Sequence, residues 1–272
     1  MDGRIEPNLV PHVLYEPDET GILWVTLNRP DRMNATAPDT VEKVAEYMQA
    51  GDSDPNIRVI VLTGAGRGFC AGNDMKATNR RDRSHEGVDG HRQHFAHYFQ
   101  PQFKKISEIR KPTIAMVNGP AAGSGLDMSL HCDIRVGSEN ARFFTYQNAG
   151  QIIENGGFYF LPRIIGLGRA LEFLYTGGWI YAEDAHKWGL LNHLAPAERL
   201  EEATRELCDR IIKSPPLIQW IGKRIMRRAL DSSLETTLDM CANASIILGT
   251  AEDRHEARRS FLEKRAPVYQ GL

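Results

Sequence analysis

Asn118-Gly119-Pro120-Ala121-Ala122-Gly123-Ser124-Gly125-Leu126-Asp127 lies between a β-forming run, Pro112 through Val117, and a stretch with helical spacing. Small residues at a strand-to-helix turn let a ligand come close to the backbone, and a helix start leaves N–H groups free to meet negative charge. A second turn of this kind, Gly66-Arg67-Gly68-Phe69-Cys70-Ala71-Gly72-Asn73-Asp74-Met75, follows soon after another apolar run. Two such N–H groups aimed at one oxygen make an oxyanion hole. Neither turn has the GxxxxGK spacing of a phosphate loop or the GxGxxG spacing of a dinucleotide site.

Working outward from these turns, the first half of the chain alternates strands and helices. Residues 22–27 are β-rich and end at Asn28-Arg29-Pro30, and residues 40–50 place Val41, Val44 and Met48 on one helical side. Residues 57–62 form a near-continuous apolar run closed by Thr63-Gly64-Ala65-Gly66, which fits a strand buried on both faces. Short strands are expected at 112–117, 133–136 and 141–145, with a helix over 125–132. Residues 78–90 are polar and irregular and read as a loop on the surface or facing substrate. Beyond Arg163, helices are expected over 168–176, 182–189, 198–213, 216–230, 234–249 and 253–264. Parallel strands with crossover helices, followed by a helical tail, are the implied plan.

Composition sets outer bounds. A 42% apolar and 25% charged chain of 272 residues is that of an ordinary globular protein. Net charge is -2 with the basic residues scattered, so a nucleic-acid partner is not expected. No apolar run approaches membrane-spanning length. Cys70, Cys132, Cys208 and Cys241 are widely spaced, and the N-terminal residues lack a signal-peptide pattern, so a reduced cytoplasmic setting is expected.

Taken together and in this order, the motifs resemble those of the crotonase (enoyl-CoA hydratase/isomerase) superfamily over nearly the whole chain. They are Leu27-Asn28-Arg29-Pro30 with Met33-Asn34-Ala35, the two turns, Cys132-Asp133-Ile134, Leu161-Pro162-Arg163, Gly166-Leu167-Gly168-Arg169-Ala170, Trp188-Gly189-Leu190 and Phe261-Leu262-Glu263-Lys264-Arg265. The resemblance implies an α/β fold, a crotonase-like spiral of ββα units with a C-terminal helical region. On it, residues 1–200 form the core with an acyl-CoA site, and 201–272 form a helical trimerisation region. It further implies an acyl-CoA substrate, a homotrimer or dimer of trimers, and no cofactor or metal beyond the coenzyme A moiety of the substrate.

By the same resemblance the hole donors are the backbone amides of Asn73 and Ser124, where the family usually has Gly at the second place. Contacts to coenzyme A are expected at Arg29, Ala71, Asp74, Met75 and Lys264. Family hydratases place two glutamates around a water; here the first place holds Asp127 and the second falls on Tyr146 or Gln147. Neither an amide nor a phenol is a useful base near neutral pH, so the two-glutamate hydration pattern is broken. Glu154 falls where family isomerases, dienoyl-CoA isomerases among them, place a catalytic acid. Burial among Ile152, Ile153 and Phe158 would raise its pKa toward the working range. Asp127 is either a second acid of the pocket or a carboxylate favoured by the dipole of its own helix's first turn.

An enoyl-CoA isomerase using Glu154 as proton shuttle is therefore expected. The rivals are a hydratase using Asp127 and Glu154, a thioester hydrolase, and a non-catalytic coenzyme A-binding protein. Phe95 fits an acyl-pocket wall or plain core packing. The histidines His85, His91, His94 and His97 lack the companions of a metal site and read as a solvated or substrate-lining helix start. Lys223, Arg224, Arg227 and Arg228 make a basic helix face, which reads most simply as solvated and otherwise as a contact for coenzyme A phosphates.

Overall fold

The computed structural model describes residues 11–74 and 87–271. Among them the strands are β1 (Val13–Pro17), β2 (Ile22–Leu27), β3 (Val59–Gly64), β4 (Thr113–Val117), β5 (Pro120–Ala122), β6 (Ile134–Ser138), β7 (Arg142–Phe144), β8 (Ile180–Tyr181) and β9 (His193–Ala195). The helices are α1 (Thr40–Ser53), α2 (Gly87–His94), α3 (Gln100–Ser107), α4 (Ser124–His131), α5 (Gly157–Ile165), α6 (Leu167–Thr176), α7 (Ala182–Lys187), α8 (Leu200–Ile212), α9 (Pro216–Ala229), α10 (Leu234–Gly249) and α11 (Glu252–Glu263). The larger sheet runs β1-β2-β3-β4-β6-β9, and all its pairs but β1·β2 are parallel. A smaller sheet, β5-β7-β8, stands beside it. This is the α/β crotonase architecture with a C-terminal helical region that the motifs implied.

The period of two along a strand explains why the central runs are apolar throughout. Leu23, Val25 and Leu27, Ile60 and Leu62, and Ala115 and Val117 face one core, where Val41, Val44 and Met48 of α1 and Phe103 and Ile106 of α3 cover them. The alternate residues, Ile22 and Trp24, Val59 and Val61, Ile114 and Met116, face a second core closed by Leu200, Leu207 and Cys208 of α8.

Several elements differ from expectation. Residues 87–90 belong to α2 rather than to a loop, and a π-helical turn, Phe95–Phe99, leads from α2 into α3. The short edge strands β1, β8 and β9 were not foreseen. Nor was α5, which holds Pro162 in its interior; a nine-residue helix loses few bonds to one missing N–H.

The basic face of α9 is not simply solvated. Lys223 Nζ lies 2.6 Å from Asp133 Oδ2, and Arg227 Nη2 lies 2.7 Å from Asp133 Oδ1. Arg227 Nη2 also donates to the carbonyl of His131 at 3.3 Å, while buried Arg135 donates to the carbonyls of Cys132 and Ser129. The C-terminal carbonyls of α4 are thus covered by two guanidinium groups, as the dipole of that helix favours.

The start of α4 is pressed against the other turn. Cys70 and Ala121 form an isolated parallel bridge, with Cys70 N donating to Pro120 O at 3.0 Å and Ala122 N to Cys70 O at 2.8 Å. A Cβ added at Gly125 would sit 2.7 Å from Cys70 Cβ and closer still to its carbonyl oxygen. Gly125→Ala is therefore expected to cost about 1–3 kcal/mol, since the neighbour is backbone. Gly168→Ala in α6, where no atom lies within contact distance, should be neutral or slightly stabilising. Urea unfolding of the two variants checks this; equal stabilities would show that the turns can part at little cost.

Candidate active site

The first turn is fixed by backbone pairing. Thr36 N donates to Gly72 O at 2.8 Å and Asp74 N donates to Thr36 O at 3.1 Å. A parallel bridge of this kind between Thr36 and Asn73 uses the groups on either side of Asn73 and turns the Asn73 N–H away from Thr36. Buried Asn34 supports the turn from behind, its Nδ2 donating to Ala65 O and Gly68 O at 2.9 and 2.7 Å. Arg29 pairs with Asp74 at 2.9 Å and donates to Ala35 O, so the guanidinium is already engaged within the turn.

The second turn delivers Ser124 as the first residue of α4, after Gly123 in a left-handed conformation at φ 50°. Its N–H is one of the first-turn donors that a helix leaves without an internal partner. Among the described residues, the Asn73 and Ser124 amides donate no backbone hydrogen bond. The two residues are neighbours, because Ser124 Oγ donates to Asn73 Oδ1 at 2.9 Å. The hydroxyl does not cap its own helix.

Tyr146 lies behind both turns. Its hydroxyl donates to Ala71 O at 2.7 Å, and its ring would lie 3.2 Å from a Cβ placed on either Gly72 or Gly123. Burial raises the phenol's pKa. Gln147 points elsewhere, its Nε2 donating to Phe173 O at 2.9 Å. Lys264 is exposed in a left-handed conformation at the end of α11, and Met75 lies outside the described residues.

The two candidate acids come from near the middle of the chain and lie close enough for their charges to interact. Asp127 is 1% exposed on α4. Its Oδ2 accepts from Asn155 N and Nδ2 at 3.3 and 3.2 Å, and its Oδ1 is buried with no partner of regular hydrogen-bond geometry. Burial above all, with the charge of Glu154, pushes its pKa up to about 7 against the Asn155 side chain and the amides of Asn155 and Gly157. Glu154 is half-buried in the turn before α5, and its carbonyl accepts from Gln100 Nε2 at 2.8 Å. Of the apolar neighbours expected around it, Ile153 is buried, but Ile152 and Phe158 are 55% and 46% exposed. The enclosed carboxyl of the pair is Asp127.

Asn155 and His131 were not singled out from sequence. His131 Nε2 donates to Asn155 O at 2.6 Å, and burial lowers the imidazole's pKa to about 4, which keeps it neutral. His131 therefore holds the residue that holds Asp127. The available signal was their spacing of four on an apolar helix, which puts Asp127 and His131 on one side. An aromatic row, Phe95–Phe99–Phe103–His131–Phe160, links the π-helical turn to this point through successive ring contacts of 4.8–5.9 Å. Phe95 thus stands at one end of a row that reaches His131, the residue that holds Asn155. His94 stacks on Tyr98, and among the described residues no group of three or more His, Cys, Asp or Glu side chains is arranged to hold a metal ion.

Among the described residues, two strand–turn segments whose Asn73 and Ser124 amides donate no backbone hydrogen bond and two acids in unlike surroundings are thus carried on a crotonase fold. The enoyl-CoA hydratase/isomerase family model matches residues 18–271, and the chain belongs to that family. It is 32% identical to the 1,2-epoxyphenylacetyl-CoA isomerase of Escherichia coli, covering 93% of this chain and 96% of that protein. It is 33% identical to the (E)-benzylidenesuccinyl-CoA hydratase of Thauera aromatica, covering 92% and 96%. The crystal structure of an enoyl-CoA hydratase from Bacillus anthracis superposes with a TM-score of 0.88 at 30% identity, covering 96% of this chain and 100% of that one.

Asp127 and His131 pull stability in opposite directions with pH. Asp127, raised from 3.8 to about 7, keeps a proton that the unfolded chain releases, so its contribution is lost as pH rises through about 7. His131, lowered from 6.5 to about 4, excludes a proton that the unfolded chain takes up, so its contribution is lost as pH falls through about 4. Between about pH 4 and 6.5 the two slopes oppose one another. Asp127→Asn should leave the histidine slope uncompensated, so stability rises more steeply with pH than in the parent, by on the order of 1–4 kcal/mol across the window. Urea unfolding at a series of pH values reads this, and parallel curves would mean that Asp127 is ionised in the fold.

Proposed function

We propose that this protein acts on acyl-CoA thioesters by stabilising an enolate, and that its reaction is the double-bond shift of an enoyl-CoA. The amides of Asn73 and Ser124 receive the thioester oxygen. Glu154 takes a proton from the carbon α to the thioester of a 3-enoyl substrate. The electron pair moves onto the oxygen, where the two amides hold the developing charge. Glu154 then returns the proton at the γ carbon, giving the conjugated 2-enoyl product with no net gain or loss of atoms. The step calls for no cofactor beyond the coenzyme A moiety of the substrate.

The observation that carries this reading is the unlike setting of the two acids. Asp127 is 1% exposed and its Oδ2 is held by Asn155 N and Nδ2, which leaves the half-buried Glu154 as the more accessible carboxyl and the group that moves protons. The engagement of Tyr146 with Ala71 O and of Gln147 with Phe173 O supports it, since neither side chain supplies the second hydratase acid. Relatives that act as isomerase and as hydratase lie at nearly equal identity, so likeness alone does not choose between them.

A second reading rests on the same pair. Two carboxyls whose environments separate their proton affinities also suit hydration, with neutral Asp127 as acid and Glu154 as base on a water. Apolar side chains left exposed on the last helices, Leu234, Leu238, Ile246, Ile247, Phe261 and Leu262, support a role for that region in joining copies of the chain, as a trimer or dimer of trimers.

Incubation in heavy water with a 3-enoyl-CoA and, separately, with crotonyl-CoA distinguishes the readings by mass spectrometry. The expected outcome is the 2-enoyl isomer carrying deuterium, with kcat lowered by about 10²-fold or more in Glu154→Gln. Crotonyl-CoA that gains water while the 3-enoyl compound stays unchanged would establish the hydratase instead.

A further inference from the structure

Where Ser124 stands, a glycine would serve equally well as an amide donor, so its hydroxymethyl group calls for its own account. Ser124 is 5% exposed, and its hydroxyl reaches across to the other turn. Its acceptor, Asn73 Oδ1, also receives the hydroxyl of Thr36 at 3.0 Å. Thr36 is itself the residue whose backbone brackets Asn73 on both sides. The two residues proposed to receive the thioester oxygen are thus joined side chain to side chain, through one carbonyl oxygen with two hydroxyl donors.

The opposite side of the turns is braced independently. A Cβ at Gly123 would lie 3.8 Å from Gly72 Cα, so the two backbones touch there, with the Tyr146 ring against both and its hydroxyl on Ala71 O. Contact behind the turns fixes how close they come. It leaves residues 73 and 124, each three positions beyond the Cys70–Ala121 bridge, some freedom to rotate, and that rotation decides whether two N–H vectors converge. A hydrogen bond displaced from that pivot, between residues 73 and 124 themselves, removes this freedom.

We propose that the Ser124 hydroxyl, with Thr36, is a positioning group that sets the mutual orientation of the two oxyanion-binding amides through Asn73 Oδ1. The proposal rests on the acyl-CoA reading above. The hydroxyl acts through Asn73 and does not itself receive the substrate oxygen. Its contribution belongs to preorganisation: donors already aimed need not reorient as charge develops. Because that charge is larger in the transition state than in the bound substrate, its loss falls on kcat more than on KM.

The test uses butyryl-CoA labelled with ¹³C at the thioester carbonyl, an unreactive ligand whose carbonyl stretch reports hydrogen bonding at the oxygen. Difference infrared spectra are recorded for the full-length protein, for Ser124→Ala and Asn73→Ala, and for the double variant; all three variants keep the backbone amides. In the parent protein, the band should move to lower frequency on binding. In Ser124→Ala it should return part of the way, with kcat on the 3-enoyl substrate reduced about tenfold and KM changed less than about threefold. The double variant should lose no more than the worse single one, because both remove the same link.

A band and kcat unchanged in Ser124→Ala, beside a shifted band in the parent, overturn the proposal. So does a lowered melting temperature with the band in place, which makes the contact structural only, and so do losses that add in the double variant. A parent protein that leaves the band at its free position overturns the acyl-CoA reading itself, and the proposal with it.

Discussion

The site depends on how closely two stretches of backbone can lie. Cys70 bonds to the groups flanking Ala121, and Gly72, Gly123 and Gly125 sit where a side chain would meet the opposing main chain. Backbone in such contact must find its hydrogen bonds across the gap or leave them unmade. The bonds formed by Pro120, Ala122 and Gly123 settle most of these groups. The Asn73 and Ser124 amides remain, on adjacent residues, because the pairing geometry turns them away from their neighbours. Their availability follows from how the turns pack.

Behind this seam lies a layer of residues that act on other residues. Asn34 fixes one turn and Tyr146 backs both, while His131 holds Asn155 and Asn155 holds Asp127. The burial that makes this layer rigid also sets the chemistry. It keeps His131 neutral, with Nε2 donating to Asn155 O, and it shifts Asp127 toward its protonated form. One enclosed environment thus moves an acid and a base in directions that both reduce charge.

The parts of the fold legible in the sequence are those where burial is complete on both sides. β2, β3 and β4 read as apolar runs because each alternate residue meets a different core. Elements stabilised by one face only were harder to see. α5 begins at the second of two glycines, Gly156 and Gly157, and contains Pro162, so its local signals argue against the helix that its packing with α6 and α4 supports. α2 carries Gly87 and Gly90 among polar residues. Within the site, the two turns were legible because their small residues are needed in sequence order. The contacts of Ser124 Oγ, Thr36 and His131 were not, because they join positions tens of residues apart, apart from Asp127 and His131, whose spacing of four went unremarked.

The guanidinium groups over the last carbonyls of α4 tie the far end of the chain to its centre. Arg227 comes from α9, and it reaches His131 O and Asp133 at the end of the helix whose first residue is Ser124. The helix is eight residues long, so its two ends share one short rigid body. The C-terminal helices therefore serve as an anchor for the site as well as an outer layer. A chain shortened before α9 would keep both glycine turns and both acids, yet lose a cationic cap on the helix that aligns one turn with the other. Helices remote from the chemistry would then be felt there through the seating of α4.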